Sequence, residues 1–181
     1  MRTRYLALAA LAAAALTAPA SAALSTGSKA PDFTLQASQG GDVFTFNLAA
    51  ALKKGPVVLY FYPAAFTTGC TIEAHEFADA IDQYKALGAT VIGVSHDPID
   101  KLQKFSVSEC RSKFPVAADT NETVIKSYDA VLPQHPQYAN RTSYVIVPDG
   151  TILYEYTSLD PEQHVQNTLN ALKAWKADQT H

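Results

Sequence analysis

The chain is predicted to adopt an α/β layer fold, and three observations carry that expectation. First, residues 57–62 (Val-Val-Leu-Tyr-Phe-Tyr) and 90–94 (Thr-Val-Ile-Gly-Val) are short apolar runs rich in β-branched and aromatic residues, the pattern of strands buried on both faces. Second, each is followed by apolar residues at helical spacing: Phe77, Ala80, Ile81, Tyr84 and Leu87 after the first, and Ile99, Leu102 and Phe105 after the second. A strand–helix–strand order calls for a crossover, hence parallel pairing. Third, Pro148-Asp149-Gly150-Thr151 is a turn signal between two strand-like runs, 143–147 and 152–156, so an antiparallel hairpin closes the sheet.

The remaining elements follow in order. Ala30-Pro31 opens the folded part. Phe33-Thr34-Leu35 and Val43-Phe44-Thr45-Phe46 alternate in polarity around Gly40-Gly41, a small N-terminal hairpin. Residues 47–54 read as a short helix stopped by Gly55-Pro56. A long helix runs from Cys70 until Gly88 ends its pattern. Asp97-Pro98 opens the next helix, which runs toward Cys110 and Arg111. Residues 114–118 form a short strand and 121–128 a short helix. Residues 132–140 hold two prolines and read as an exposed loop. Residues 161–177, with Val165, Leu169, Leu172 and Trp175 on one face, form the last helix. The order matches a thioredoxin-like core with an N-terminal β-hairpin extension: a central mixed sheet flanked by helices.

The N-terminus indicates the compartment. Arg2 and Arg4 precede an uncharged Leu/Ala run, residues 5–16, and Pro19 precedes Ala20-Ser21-Ala22. This is the pattern of a secretory signal peptide, residues 1–22, cut after Ala22. The run is short for a membrane span, and no Arg-Arg pair marks a twin-arginine route. Export to a bacterial periplasm is expected, with the extracellular space or a thylakoid lumen as alternatives. Residues 23–181 then form one domain without membrane attachment. The formal charge is −3, and −5 after loss of the two leader arginines, which gives no footing for nucleic acid.

The chain has two cysteines, Cys70 and Cys110. Cys70 falls where a strand hands over to a helix N-terminus. Unpaired N–H groups and the helix dipole favour an anion there, and thiolate is the reactive form of cysteine. A structural disulfide is the plain alternative for an exported two-cysteine chain. It accounts neither for the helix-start position nor for the Pro63-x-x-x-Thr67-x-x-Cys70 context. His75, His96, His135, His164 and His181 lack ligand spacing, and neither cysteine belongs to a Cys-x-x-Cys pair. No metal and no cofactor is expected.

The stretch from Tyr62 to Ala74, Tyr-Pro-Ala-Ala-Phe-Thr-Thr-Gly-Cys-Thr-Ile-Glu-Ala, resembles a peroxiredoxin active site. So do Gly93-Val94-Ser95-His96-Asp97, Phe114-Pro115 with Asp119, and Arg141-Thr142-Ser143-Tyr144-Val145-Ile146. The resemblance runs from Gly27 to the C-terminal helix and is strongest to the bacterioferritin-comigratory or Q-type branch. It implies a thiol-dependent peroxidase acting on hydrogen peroxide and organic hydroperoxides. Cys70 would be the peroxidatic cysteine, oxidised to a sulfenic acid. Thr67 would accept from the peroxide and donate toward the sulfur. Pro63 would shield the pocket, and Arg141 would favour the thiolate and donate to the peroxide. Taken singly, Thr67 or Thr68 reads as a helix cap, Pro63 as a strand terminator and Arg141 as a solvated hairpin residue. Their joint order is what favours the site.

Two positions depart from the Q-type pattern. His75 stands where some members carry the resolving cysteine, and it reads as a surface helix residue. Ala78 stands where members commonly carry arginine, which removes the usual partner of a Glu–Arg bridge at the site; Glu73, one turn after Cys70, either holds an arginine or favours the helix start, and a structural role outweighs a catalytic one. The resemblance then makes Cys110 the resolving candidate, forming an intramolecular disulfide with Cys70; its alternative is a buried small apolar residue. Arg111 either eases thiolate formation there or is solvated. A thioredoxin-like dithiol protein would be the reductant, and the resemblance favours a monomer. Two competing functions are an exported thiol–disulfide oxidoreductase, against which Thr67 stands where Cys-x-x-Cys would begin, and a non-enzymatic domain with a structural disulfide.

Overall fold

A computed structural model describes residues 23–179, so the expected export signal at 1–22 lies outside the described residues. The strands are β1 (Thr34–Gln39), β2 (Asp42–Asn47), β3 (Val57–Phe61), β4 (Thr90–Ser95), β5 (Val116–Ala118), β6 (Thr142–Ile146) and β7 (Ile152–Thr157). The helices are α1 (Leu48–Leu52), α2 (Thr68–Ala86), α3 (Ile99–Ser108), α4 (Thr123–Ser127) and α5 (His164–Asp178). The strands form one sheet in the order β2-β1-β5-β4-β3-β6-β7. Pairing is parallel between β3 and β4 and between β4 and β5, and antiparallel elsewhere, so the sheet is mixed as expected.

β3 lies at the centre and every residue of it is buried. Its alternation splits the core in two. Val58, Tyr60 and Tyr62 face α2, α3 and α5, packing with Phe77, Tyr84, Phe105, Leu169 and Leu172. Val57, Leu59 and Phe61 face α1 and α4, packing with Phe33, Leu48, Ile125 and Tyr128. Both cysteines belong to the first of these clusters.

Boundaries differ from expectation where backbone geometry, rather than residue type, sets them. α2 begins at Thr68, before Cys70, because Thr67 takes an extended conformation (φ −78°, ψ 152°) and acts as the N-terminal boundary. Cys70 therefore sits inside the first turn. At the other end Gly88 (φ +76°) closes the helix as expected: its N–H bonds the Lys85 carbonyl and the Ala89 N–H bonds the Tyr84 carbonyl. α3 stops at Ser108, so Cys110 lies in the turn beyond it, where Arg111 and Ser112 both adopt left-handed backbone (φ 50° and 58°). α5 begins at His164 rather than at Pro161. The 132–140 segment is exposed over 133–137, but an antiparallel bridge joins Val131 to Ala139, and Ala139 is buried. No described helix is long and apolar enough to cross a membrane.

Candidate active site

Three elements converge on Cys70. The loop from β3 to α2 carries Pro63, half-buried, and Thr67, exposed. The first turn of α2 carries Cys70, buried to 1% exposure, and Glu73 follows one turn later on the same face. The start of β6 brings in Arg141, which is 4% exposed and so is not a solvated hairpin residue. Its Nη2 donates to Cys70 Sγ at 3.6 Å, its Nη1 to Glu73 Oε2, and its Nε to the Leu159 carbonyl at 3.0 Å. Three donors in one rigid plane meet three acceptors, a match that only a guanidinium makes.

The Glu–Arg bridge that Ala78 leaves without its usual partner is therefore present, with Arg141 as its cation. Burial works against the Arg141 charge, yet Glu73 and then Cys70 hold the group above its ordinary value. Burial also pushes the Glu73 carboxyl up, against the opposing pull of Arg141.

Behind Glu73 lies His164, fully buried, a residue that no local sequence signal singles out. Its Nε2 lies 2.9 Å from the Ser158 carbonyl, which can only accept, so Nε2 carries the hydrogen. Nδ1 then accepts from the Ser143 hydroxyl at 2.8 Å and stands 3.7 Å from Glu73 Oε1. Burial lowers His164 from 6.5 to about 4, so the ring is neutral near pH 7. Glu73 Oε1 has no hydrogen-bond partner among the described residues.

The loop is fixed from the far side by Asp97, just after β4. Its Oδ2 accepts from the Ala65 N–H at 2.7 Å and from the Ser95 hydroxyl at 2.9 Å, while Oδ1 pairs with Lys101 at 2.7 Å. Phe66 in this loop has left-handed backbone (φ 69°), and its ring stands edge-on to Phe105 at 5.2 Å. Thr67 Oγ1 donates to the Ala64 carbonyl at 2.9 Å. That hydrogen is committed to the loop, so the hydroxyl does not donate to the sulfur; its lone pairs remain available to a donor. Thr67 occupies the N-cap position without a side-chain cap bond.

Cys110 is fully buried, and burial pushes its thiol far above the ordinary range. Cys70 and Cys110 are both free thiols in this structure. Arg111 pairs with Asp79 of α2 rather than with Cys110. His75, partly exposed, bonds Glu109 Oε2 at 2.8 Å. No group of three or more His, Cys, Asp or Glu side chains suited to a metal occurs among the described residues.

Residues 26–155 match the AhpC/TSA family. The chain is 34% identical over 152 residues to a chloroplastic peroxiredoxin Q of Oryza sativa subsp. japonica, covering 83% of this chain and 68% of that protein. It is 31% identical to the chloroplastic peroxiredoxin Q of Sedum lineare, over 86% of this chain and 81% of that one. The crystal structure of peroxidoxin BcpB from Mycobacterium tuberculosis superposes with a TM-score of 0.73 at 33% identity, covering 82% of this chain and 96% of that chain. Enterococcus faecalis AhpC, at 21% identity and a TM-score of 0.77 over 86% of this chain and 95% of that one, shares the fold. With its sheet order, its helix-start cysteine and these relatives, the chain belongs to the AhpC/TSA family as a Q-type peroxiredoxin, a thiol-dependent peroxidase of thioredoxin-like fold.

Proposed function

We propose that Cys70 is the peroxidatic cysteine and Cys110 its resolving partner, in an exported enzyme that reduces hydrogen peroxide and organic hydroperoxides. The Cys70 thiolate attacks one peroxide oxygen. The O–O bond breaks, the distal oxygen leaves as water or alcohol after taking a proton, and Cys70 becomes a sulfenic acid. Arg141 stabilises the charge as it moves from sulfur to the departing oxygen. The Thr67 oxygen accepts from the peroxide O–H, and Pro63 walls the pocket. The Cys110 sulfur then displaces hydroxide from Cys70, which leaves as water with the thiol's proton, and an intramolecular disulfide results. A thioredoxin-like dithiol protein reduces it. The leader pattern at 1–22 supports export, and we read the mature chain, 23–181, as a monomer.

The observation that carries this reading is the Arg141 guanidinium against Cys70 Sγ inside the first turn of α2. The test is single-turnover thiol loss. Reduced protein, freed of reductant, receives one equivalent of hydrogen peroxide while free thiols are followed in time. Loss of two thiols per chain, much faster than for free cysteine, is expected, with Cys70→Ser abolishing it. Loss of one thiol removes Cys110 from the mechanism, and loss no faster than free cysteine refutes the role of Cys70.

A further inference from the structure

Cys110 is tied down on both sides by α2. His75 bonds Glu109, the residue before it, at 2.8 Å. Asp79 pairs with Arg111, the residue after it. The Lys113 ammonium donates to the Ala78 carbonyl at 2.9 Å. Three ties from one α2 stretch, 75–79, therefore bracket a single buried thiol. That stretch begins five residues beyond Cys70, so it lies roughly 8–14 Å along the helix axis at the α-helical rise. A disulfide needs Cα atoms within roughly 7 Å. The segment is also strained: Arg111 and Ser112 hold left-handed backbone in succession, a conformation that β-carbon-bearing residues adopt at a cost.

We infer that the His75–Glu109, Asp79–Arg111 and Lys113–Ala78 contacts form a latch that holds Cys110 against α2 and sets how fast it reaches the oxidised Cys70. This rests on Cys110 being the resolving cysteine. With the latch closed, Cys110 stays in the core, where burial keeps its sulfur protonated and unreactive. Release lets the strained turn relax and carries the sulfur out. The step itself is balanced: the Cys110 sulfur bonds the Cys70 sulfur, the S–O bond breaks, and the hydroxyl leaves as water with the proton of the Cys110 thiol. The latch residues touch neither the peroxide nor Cys70. They are positioning residues, and they set the interval during which the sulfenic acid stands open to a second peroxide. In that interval it oxidises to the sulfinic acid instead.

The test separates the two chemical steps. The variant His75→Ala/Asp79→Ala removes one partly exposed pair and one exposed pair, each of which shifts an equilibrium by up to roughly fivefold. The expected result is an unchanged first step, read by trapping the sulfenic acid, and a second step faster by several-fold and at most roughly twentyfold, read as loss of the second thiol. Sulfinic acid, measured by mass spectrometry at excess peroxide, falls in proportion. Asp79→Glu, which keeps the charge, stays near the wild-type rate. An unchanged second step overturns the latch while leaving Cys110 as resolving cysteine. A slower second step also overturns it, since the ties would then present Cys110 rather than restrain it. Loss of one thiol per chain in the wild type itself defeats both the latch and the assignment of Cys110.

Discussion

Gly69 isolates the contribution of Arg141 without touching either reacting group. A β-carbon built on Gly69 lies 3.0 Å from Arg141 Nη2 and 3.8 Å from its Cζ, too close for the guanidinium to stay where it is. Gly69 lies within α2 and is absent from the positive-φ glycines, so alanine suits the backbone there. Replacing a helical glycine by alanine stabilises by about 0.5–1 kcal/mol when nothing clashes. Something does clash, and Arg141 has little freedom to retreat, since Glu73 and the Leu159 carbonyl hold its other two donors. The Nη2 group is thus the part displaced, and the bond it makes is the one to Cys70.

A hydrogen bond to a charged group is worth about 1.5–3 kcal/mol, and each 1.36 kcal/mol is tenfold in rate. Gly69→Ala is therefore expected to slow the peroxide step by up to roughly a hundredfold, with thermal stability little changed as the helical gain of alanine offsets the clash. Stopped-flow single-turnover kinetics give the rate, and a thermal melt gives the stability. Wild-type peroxide reactivity in a folded Gly69→Ala protein would refute the claim that the Arg141–Cys70 contact drives the first step. A parallel loss of stability and activity would instead make Gly69 a packing residue.

Two further expectations concern the groups behind Arg141. Glu73→Ala strips a buried arginine of both its counter-charge and an acceptor and is expected to cost about 3–5 kcal/mol in urea unfolding, whereas Glu73→Gln, which loses the charge but keeps an acceptor, is expected to cost less; an unfolding free energy unchanged in Glu73→Ala would show that the ion pair carries no stability. For His164 the folded value is depressed to about 4 against 6.5, so the unfolded chain takes the proton first as pH falls; its contribution is fully present above pH 6.5 and is lost on the way down to pH 4, about 3 kcal/mol in all, and His164→Gln is expected to remove that part of the pH slope, while identical slopes in the two proteins would refute it.

Much of the fold is legible because burial on both faces leaves so distinct a mark. β3 is buried throughout and β4 at all but its first residue, and their apolar middles mark their central places. Asp149-Gly150 and Gly88 announce themselves because left-handed backbone calls for glycine, and both Gly88 and Gly150 have positive φ. The start of α2 and the end of α3 are harder to read, since Thr67 sets its boundary by backbone angle without a side-chain bond, and the left-handed turn just after Cys110 is made by two non-glycine residues, Arg111 and Ser112. Pro63, Thr67, Cys70 and Arg141 could be singled out because their spacing repeats a known order. The partner of Arg141 could not be settled that way. Glu73 could be read as holding an arginine, but with Ala78 at the usual partner's position the local pattern cannot reveal that the arginine just before β6 folds over the same α2 face. His164 gave no signal at all: it reaches Glu73 only through the packing of α5 on the sheet, a contact between segments far apart in the chain.

The division of Arg141 among its acceptors bears on how the site survives its own cycle. Cys70 and Glu73 lie one turn apart on α2, and the Leu159 carbonyl belongs to the segment leading into α5. For the Cys70 sulfur to meet Cys110 in the proposed cycle, the first turn of α2 would have to open. Glu73 lies beyond that turn, and its bond to Arg141 does not depend on Cys70. The guanidinium therefore stays clasped at two points while the third partner is away. A buried cation set loose on every turnover would carry the full penalty of an unpaired charge. Holding it on Glu73 confines that penalty to the loss of one weaker sulfur contact, and leaves the Arg141 fork already in place when reduction returns Cys70 to the helix.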